Sequence, residues 1–260
     1  MRKKYFSEHL KMHVMSIRQT IAIVCFVVIN FLVIWPDIKA GYHGLDVVYL
    51  FRFTYDIGSF SRLLPLLAAF AIADTVAQDI CDHTTPYLLS RMRINAYINC
   101  NYAACAISGF ITIAVGWLVF ILLLRVRYPF AIPNSMNYEA YSQQPFGAWL
   151  QKDIPFVYML FYVFSAAVCG SLWACVGLTS SAFYPNRKVA IASPFIINIL
   201  LYNIAYIAMG PWHSPSDVAK YIPLENDLST FLSMICYFAV LHTLVYAVFR
   251  LKMKWRFAHA

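Results

Sequence analysis

Six long apolar runs limit what this chain can fold into. They cover residues 19–35, 61–77, 103–124, 154–178, 189–209 and 230–249. A helix needs about 20 mostly apolar residues to cross about 30 Å of hydrocarbon. The first two runs are short and are expected to extend by a few residues. Only 12 % of the 260 residues are charged and 61 % are hydrophobic. A soluble domain carries about 25 % charged and about 45–50 % apolar residues. A soluble globule of this size has too little interior to hide that much apolar surface. The sequence therefore predicts an all-α polytopic membrane protein with six transmembrane helices. It reads as one domain, with a leader over 1–18, a bundle over 19–249 and a basic tail over 250–260.

Lysine and arginine set the expected orientation. With the N-terminus inside, the inner segments hold 13 of the 20 basic residues and the outer segments hold 7, among them Arg52 and Arg62. An even number of spans then puts both termini in the cytoplasm, and the membrane is expected to be the plasma membrane. The net charge of +8 reads as a topology signal and not as a nucleic-acid footprint, because no basic patch interleaved with aromatics lies away from the membrane ends. The leader is too long for a signal peptide. Within it Phe6, Leu10, Val14 and Ile17 follow helical spacing, which predicts a helix lying along the inner leaflet. The tail, with Trp255 among four basic residues, reads as an interfacial anchor.

Several chemistries lack their residues. None of the nine glycines is followed by Lys, so the chain has no P-loop of its own. HExxH and GxSxG are absent, as is any Glu-Glu pair. No catalytic residue, cofactor site or metal site is expected. The seven cysteines form no CxxC pair and read as small buried thiols.

Three acidic features give competing readings. Asp79 and Asp82 form one DxxD, which suits a membrane-embedded Mg²⁺-dependent transferase, but such enzymes need a second acidic cluster and none exists. Asp74 is the one acidic residue clearly inside an apolar run, and His242 falls at a similar depth in the sixth run. Intramembrane ionisable groups of this kind point to an ion-coupled carrier, or to helix packing. The fourth run carries a stripe of small residues, Ala166, Gly170 and Ala174. Such a stripe permits close helix approach, within one chain or between two.

The segment over 79–101 is the most informative. Thr85 and Pro86 form a helix start, and a short cytoplasmic helix over 86–93 then presents Tyr87, Leu88 and Leu89, followed by Arg91 and Arg93. An apolar patch flanked by Arg suits docking to a protein. Here the sequence resembles the permease subunits of type 2 ABC exporters, the ABC-2 family. That family shows an acidic residue, Gly-Thr, an apolar pair, a Ser-Arg or Thr-Arg step, and then an aromatic and Lys. The matching residues are Asp82, Thr84 or Thr85, Leu88, Leu89, Ser90, Arg91, Arg93 and Tyr97. His83 stands where the family has Gly, and Asn99 or Asn101 where it has Lys. The resemblance implies a permease that dimerises with a second permease subunit, alike or different. It also implies pairing with separate P-loop ATPase subunits, which carry the ATP and Mg²⁺. Asp82, Pro86, Tyr87, Leu88, Leu89, Arg91 and Arg93 would then form the coupling element, and the inner loop over 179–188 a smaller second contact.

Overall fold

The computed structural model describes residues 16–41, 44–56, 63–84, 87, 90, 93–133, 135–209 and 227–259. Among these residues there is no strand, and ten helices account for most of them. They are α1 (Ile17–Ala40), α2 (Val47–Asp56), α3 (Leu64–Phe70), α4 (Thr75–Cys81), α5 (Ile94–Arg125), α6 (Met136–Ser142), α7 (Gly147–Gln151), α8 (Pro155–Phe183), α9 (Arg187–Met209) and α10 (Asp227–Ala258). Five of them, α1, α5, α8, α9 and α10, are long and apolar enough to cross a membrane. The pair α3 and α4 passes the same test only together, bent by 46° at its break. Residues 1–15 of the leader and all of residues 210–226 lie outside the described residues.

Local chemistry fixes the helix ends. The Ser16 side chain caps α1 by accepting from the Gln19 N–H at 3.2 Å. Gly41 closes α1 in the left-handed region at φ 64°, with its N–H on the Ile38 carbonyl. Pro155 opens α8 in the first turn, where its missing N–H costs nothing.

Side-chain register gives the helix directions. Gln19 meets Ser108 and Phe26 meets Trp117, so α1 and α5 run parallel. Cys175 donates to the Tyr102 carbonyl, and Gly109 abuts Gly170 and Ala174, so α5 and α8 run antiparallel. Ser171 meets His242 and Arg256 donates to the Ala182 carbonyl, so α8 and α10 run parallel. The start of α1 and the end of α10 therefore sit at one end of the bundle. This basic end also carries Arg93, Arg187 and Lys188, while α2, α6 and α7 sit at the opposite, tyrosine-rich end.

Helix α8 is the central element. Inside the protein 72 % of its apolar window is buried, against 11 % for α10 and 28 % for α1. The small-residue stripe of α8 is used within the chain. A Cβ on Gly109 would come within 2.7 Å of the Ala174 Cβ and 3.0 Å of the Gly170 carbonyl, so the two backbones approach as closely as glycine allows. The outer faces of α1, α9 and α10 expose rows such as Ile196, Leu200, Ile204 and Ile207, as a lipid solvent requires.

Helix α10 runs unbroken to Ala258, so the basic tail is helical, with Met253 buried and Phe257 against Tyr97 at 6.1 Å. One sequence expectation changes in the structure. The residues ahead of the second apolar run do not form an exposed outer loop. Val47 and Val48 donate to the Pro129 and Phe130 carbonyls at the tyrosine-rich end. From there α2 descends between α1, α5 and α8 until Tyr55 lies 5.9 Å from Trp117. Trp117 is two turns before the end of α5, about 12 Å down its axis. The way back toward the basic end is thus assembled from three short helices, α2, α3 and α4.

Candidate functional site

Four clusters of polar side chains among the described residues bear on function. The first is at the tip of α2. Arg52 is 2 % exposed and belongs to no outer loop. Its Nη2 pairs with the Asp56 carboxylate at 3.0 Å and also donates to the Gln144 side-chain oxygen. Its guanidinium lies 4.0 Å from the Tyr162 ring centre and 5.5 Å from that of Tyr141. The rings of Tyr55 and Tyr158 stand at 5.7 and 6.0 Å. Ring faces attract a cation, so four tyrosines and one carboxylate replace part of the water that burial removes. Burial pushes the Tyr141 hydroxyl up to about 12, so it stays protonated beside the cation. In the sequence Arg52 reads only as one more basic charge. The signal that would have found it is the run Arg52-x-x-Tyr55-Asp56, which places a base, an aromatic and an acid on one helical face.

Asp46 sets the entry angle of α2. Its carboxylate accepts from the Tyr49 N–H at 2.6 Å and the Ile132 N–H at 2.9 Å. Burial nevertheless raises its pKa above the ordinary value, the two N–H groups offsetting only part of that cost.

The second place is the break between α3 and α4. Ile72 and Thr75 bond three residues back, to the Ala69 and Ile72 carbonyls, which tightens the turn and lets α4 leave at a new angle. Asp74 heads α4 without capping it. Its Oδ2 instead takes Arg18 at 2.9 Å and the Gln78 amide at 2.5 Å, and the carboxylate is buried.

The third place joins α5, α8 and α10. The Tyr102 hydroxyl donates to the His242 carbonyl at 2.9 Å and lies 3.1 Å from His242 Nδ1. Ser171 Oγ stands 2.9 Å from His242 Nε2. Asp74 and His242, paired in the carrier reading, thus each have other partners.

The fourth place is the basic end. The Tyr97 hydroxyl donates to Asp79 at 2.6 Å, Cys81 donates to the Pro185 carbonyl at 3.1 Å, and Asp82 stands 3.9 Å from Arg187. Helix α4 is thereby tied to the first turn of α5 and to the turn between α8 and α9. His83 follows with φ 53°, a left-handed conformation rare for any residue but glycine. Of the coupling residues read from the sequence, Asp82 ends α4, Tyr87 is exposed and Arg93 precedes the first turn of α5. Pro86, Leu88, Leu89 and Arg91 lie outside the described residues. Asp79 and Asp82, the metal ligands of the transferase reading, are engaged by Tyr97 and Arg187. Among the described residues no group of three His, Cys, Asp or Glu is arranged to hold a metal ion, and all seven cysteines are free thiols.

No family model matches the chain, and no curated protein or solved structure matches it either. The structure shows an all-helical architecture among the described residues, with five helices long and apolar enough to cross a membrane.

Proposed function

We propose that the chain is the transmembrane permease subunit of an ABC exporter. It crosses the plasma membrane six times with both ends in the cytoplasm, dimerises, and is driven by separate P-loop ATPase subunits. The observation that carries this reading is His83. It takes left-handed backbone, φ 53°, at the position where the resembled family has Gly, the residue that adopts such backbone without strain. A left-handed turn therefore follows α4, as a Gly at this position would allow. The bonds from Asp79 to Tyr97 and from Cys81 to Pro185 add to the support. They make α4 one mechanical unit with α5 and the α8–α9 turn, so a push on α4 would reach three helices. A partner shifts an equilibrium only through contacts that differ between two states, and this joint provides a place for such contacts.

The test is co-purification with the P-loop ATPase encoded nearest the gene, followed by an ATPase assay. Wild-type chain should retain the ATPase in the membrane fraction. Leu88→Asp should release it while the helices stay folded. An ATPase that remains bound to Leu88→Asp, with normal transport, rules the docking assignment out.

A further inference from the structure

Arg52 keeps hydrogen-bonding capacity to spare. A guanidinium has five N–H donors; Nη2 carries the bonds to Asp56 and Gln144, while Nε and Nη1 are buried with no geometric hydrogen-bond partner among the described residues. An arginine placed solely to hold α2 in the bundle would be outperformed by an apolar side chain of similar volume. Buried donors left open in this way mark places where something else binds.

Gln144 is also the contact that can be withdrawn. It belongs to the short link between α6 and α7, on the tyrosine-rich end. The link is held by the Gln144 N–H on the Tyr141 carbonyl and by Phe146, whose N–H bonds Asp227 at 2.9 Å and whose φ is 65°. A strained residue held by neighbours is a natural pivot. Gln144 stands between the Arg52 cation, beside Tyr141 and Tyr162, and the α6–α7 link at the tyrosine-rich end.

We propose that Arg52 is the recognition group of an anion-binding site entered from the tyrosine-rich end. In the structure Gln144 stands in for one oxygen of a carboxylate or phosphate group. The occupying anion takes the Gln144 position on Nη2 and fills Nη1 or Nε, while the tyrosine rings cover the organic part next to it. Free anions and anionic lipid headgroups share this chemistry. The proposal is independent of the ATPase partnership, because the site lies at the other end of the bundle and its test uses this chain alone.

The experiment is a thermal-stability titration of the full-length protein in phosphatidylcholine nanodiscs, followed by tryptophan fluorescence. The added probes are octanoate, inorganic phosphate and, as a cation control, octyltrimethylammonium. A second arm uses nanodiscs containing phosphatidylglycerol and no added probe. Wild type should show a saturable rise in Tm with the anions and none with the cation. A response in the phosphatidylcholine discs supports a free anion as occupant; one seen only in phosphatidylglycerol discs supports a headgroup. Gln144→Ala, which removes the internal competitor, should respond at about ten-fold lower concentration, the scale of one hydrogen bond to a charged group. Arg52→Gln should not respond. An unchanged response in Arg52→Gln overturns the proposal, as does the absence of any response in wild type and Gln144→Ala. If Arg52→Gln does not fold, Gln144→Ala decides alone: a titration curve superimposed on that of wild type overturns it.

Discussion

Arg18 and Asp74 meet at 2.9 Å across 56 positions of sequence, the arginine 46 % exposed and the aspartate 2 %. The pair fastens the first turn of α1 to the break between α3 and α4. Its asymmetry predicts unequal mutants. Arg18→Ala strands a buried carboxylate with only Gln78 to support it and should cost about 2 kcal/mol, below the range for fully buried pairs because Arg18 is half in solvent. Asp74→Asn leaves an arginine that can turn to water, keeps the Gln78 contact, and should cost less than about 1 kcal/mol. Thermal unfolding in detergent measures both. The reverse order would show that Asp74 is not held by Arg18.

Helices α5 and α8 touch through glycine. Gly109→Ala would press a methyl group against the Ala174 Cβ and the Gly170 carbonyl, at 2.7 and 3.0 Å. Backbone on one side cannot give way, so the substitution should cost about 2 kcal/mol and lower Tm by several degrees. Leu122→Ala on the same helix, at a 59 % exposed position, should stay within about 0.5 kcal/mol.

His83 carries strain that glycine would not. His83→Gly should raise stability by about 1 kcal/mol, the steric cost of a left-handed non-glycine residue less the extra chain entropy glycine brings. His83→Val should lower it, since a β-branched side chain tolerates this region worst. Equal Tm values for all three proteins would show that the turn is not left-handed in the membrane.

The Asp79–Tyr97 bond ties α4 to α5 at 2.6 Å. Tyr97→Phe keeps the ring against Phe257 and removes one hydrogen bond to a carboxylate, worth about 1.5 kcal/mol. Under the exporter reading, ATPase association should persist while stimulation of ATP hydrolysis by the permease falls. Undiminished stimulation would mean that the joint does not transmit motion.

Asp46 gives a pH dependence. Its folded pKa is raised above the unfolded value of about 3.9, so the folded state holds its proton more tightly. This residue therefore favours folding fully below the unfolded pKa, and that contribution is lost as pH rises through the raised one. Asp46→Asn should flatten Tm over that window. An unchanged slope would remove Asp46 as the source.

The long helices were legible in the residues because their physics is local. A run such as 103–124 is apolar on every side, and lipid makes no demand for a particular partner. The run marks α5 but not its reach back to Ile94, where Ala96 and Tyr97 are buried by neighbouring helices instead of by lipid. The small-residue stripe was legible too, though not what it meets; Gly109 becomes its partner only once α5 and α8 lie side by side. What the sequence could not give is the descent of α2. Its residues are too few and too polar to read as a span, and Arg52 looks like any loop charge. Only the surrounding helices, by bringing Tyr141, Tyr158 and Tyr162 from positions far along the chain, make burial of that arginine tolerable. The apolar spans follow from the solvent each residue prefers, whereas the buried charges depend on partners that the tertiary structure alone brings within reach.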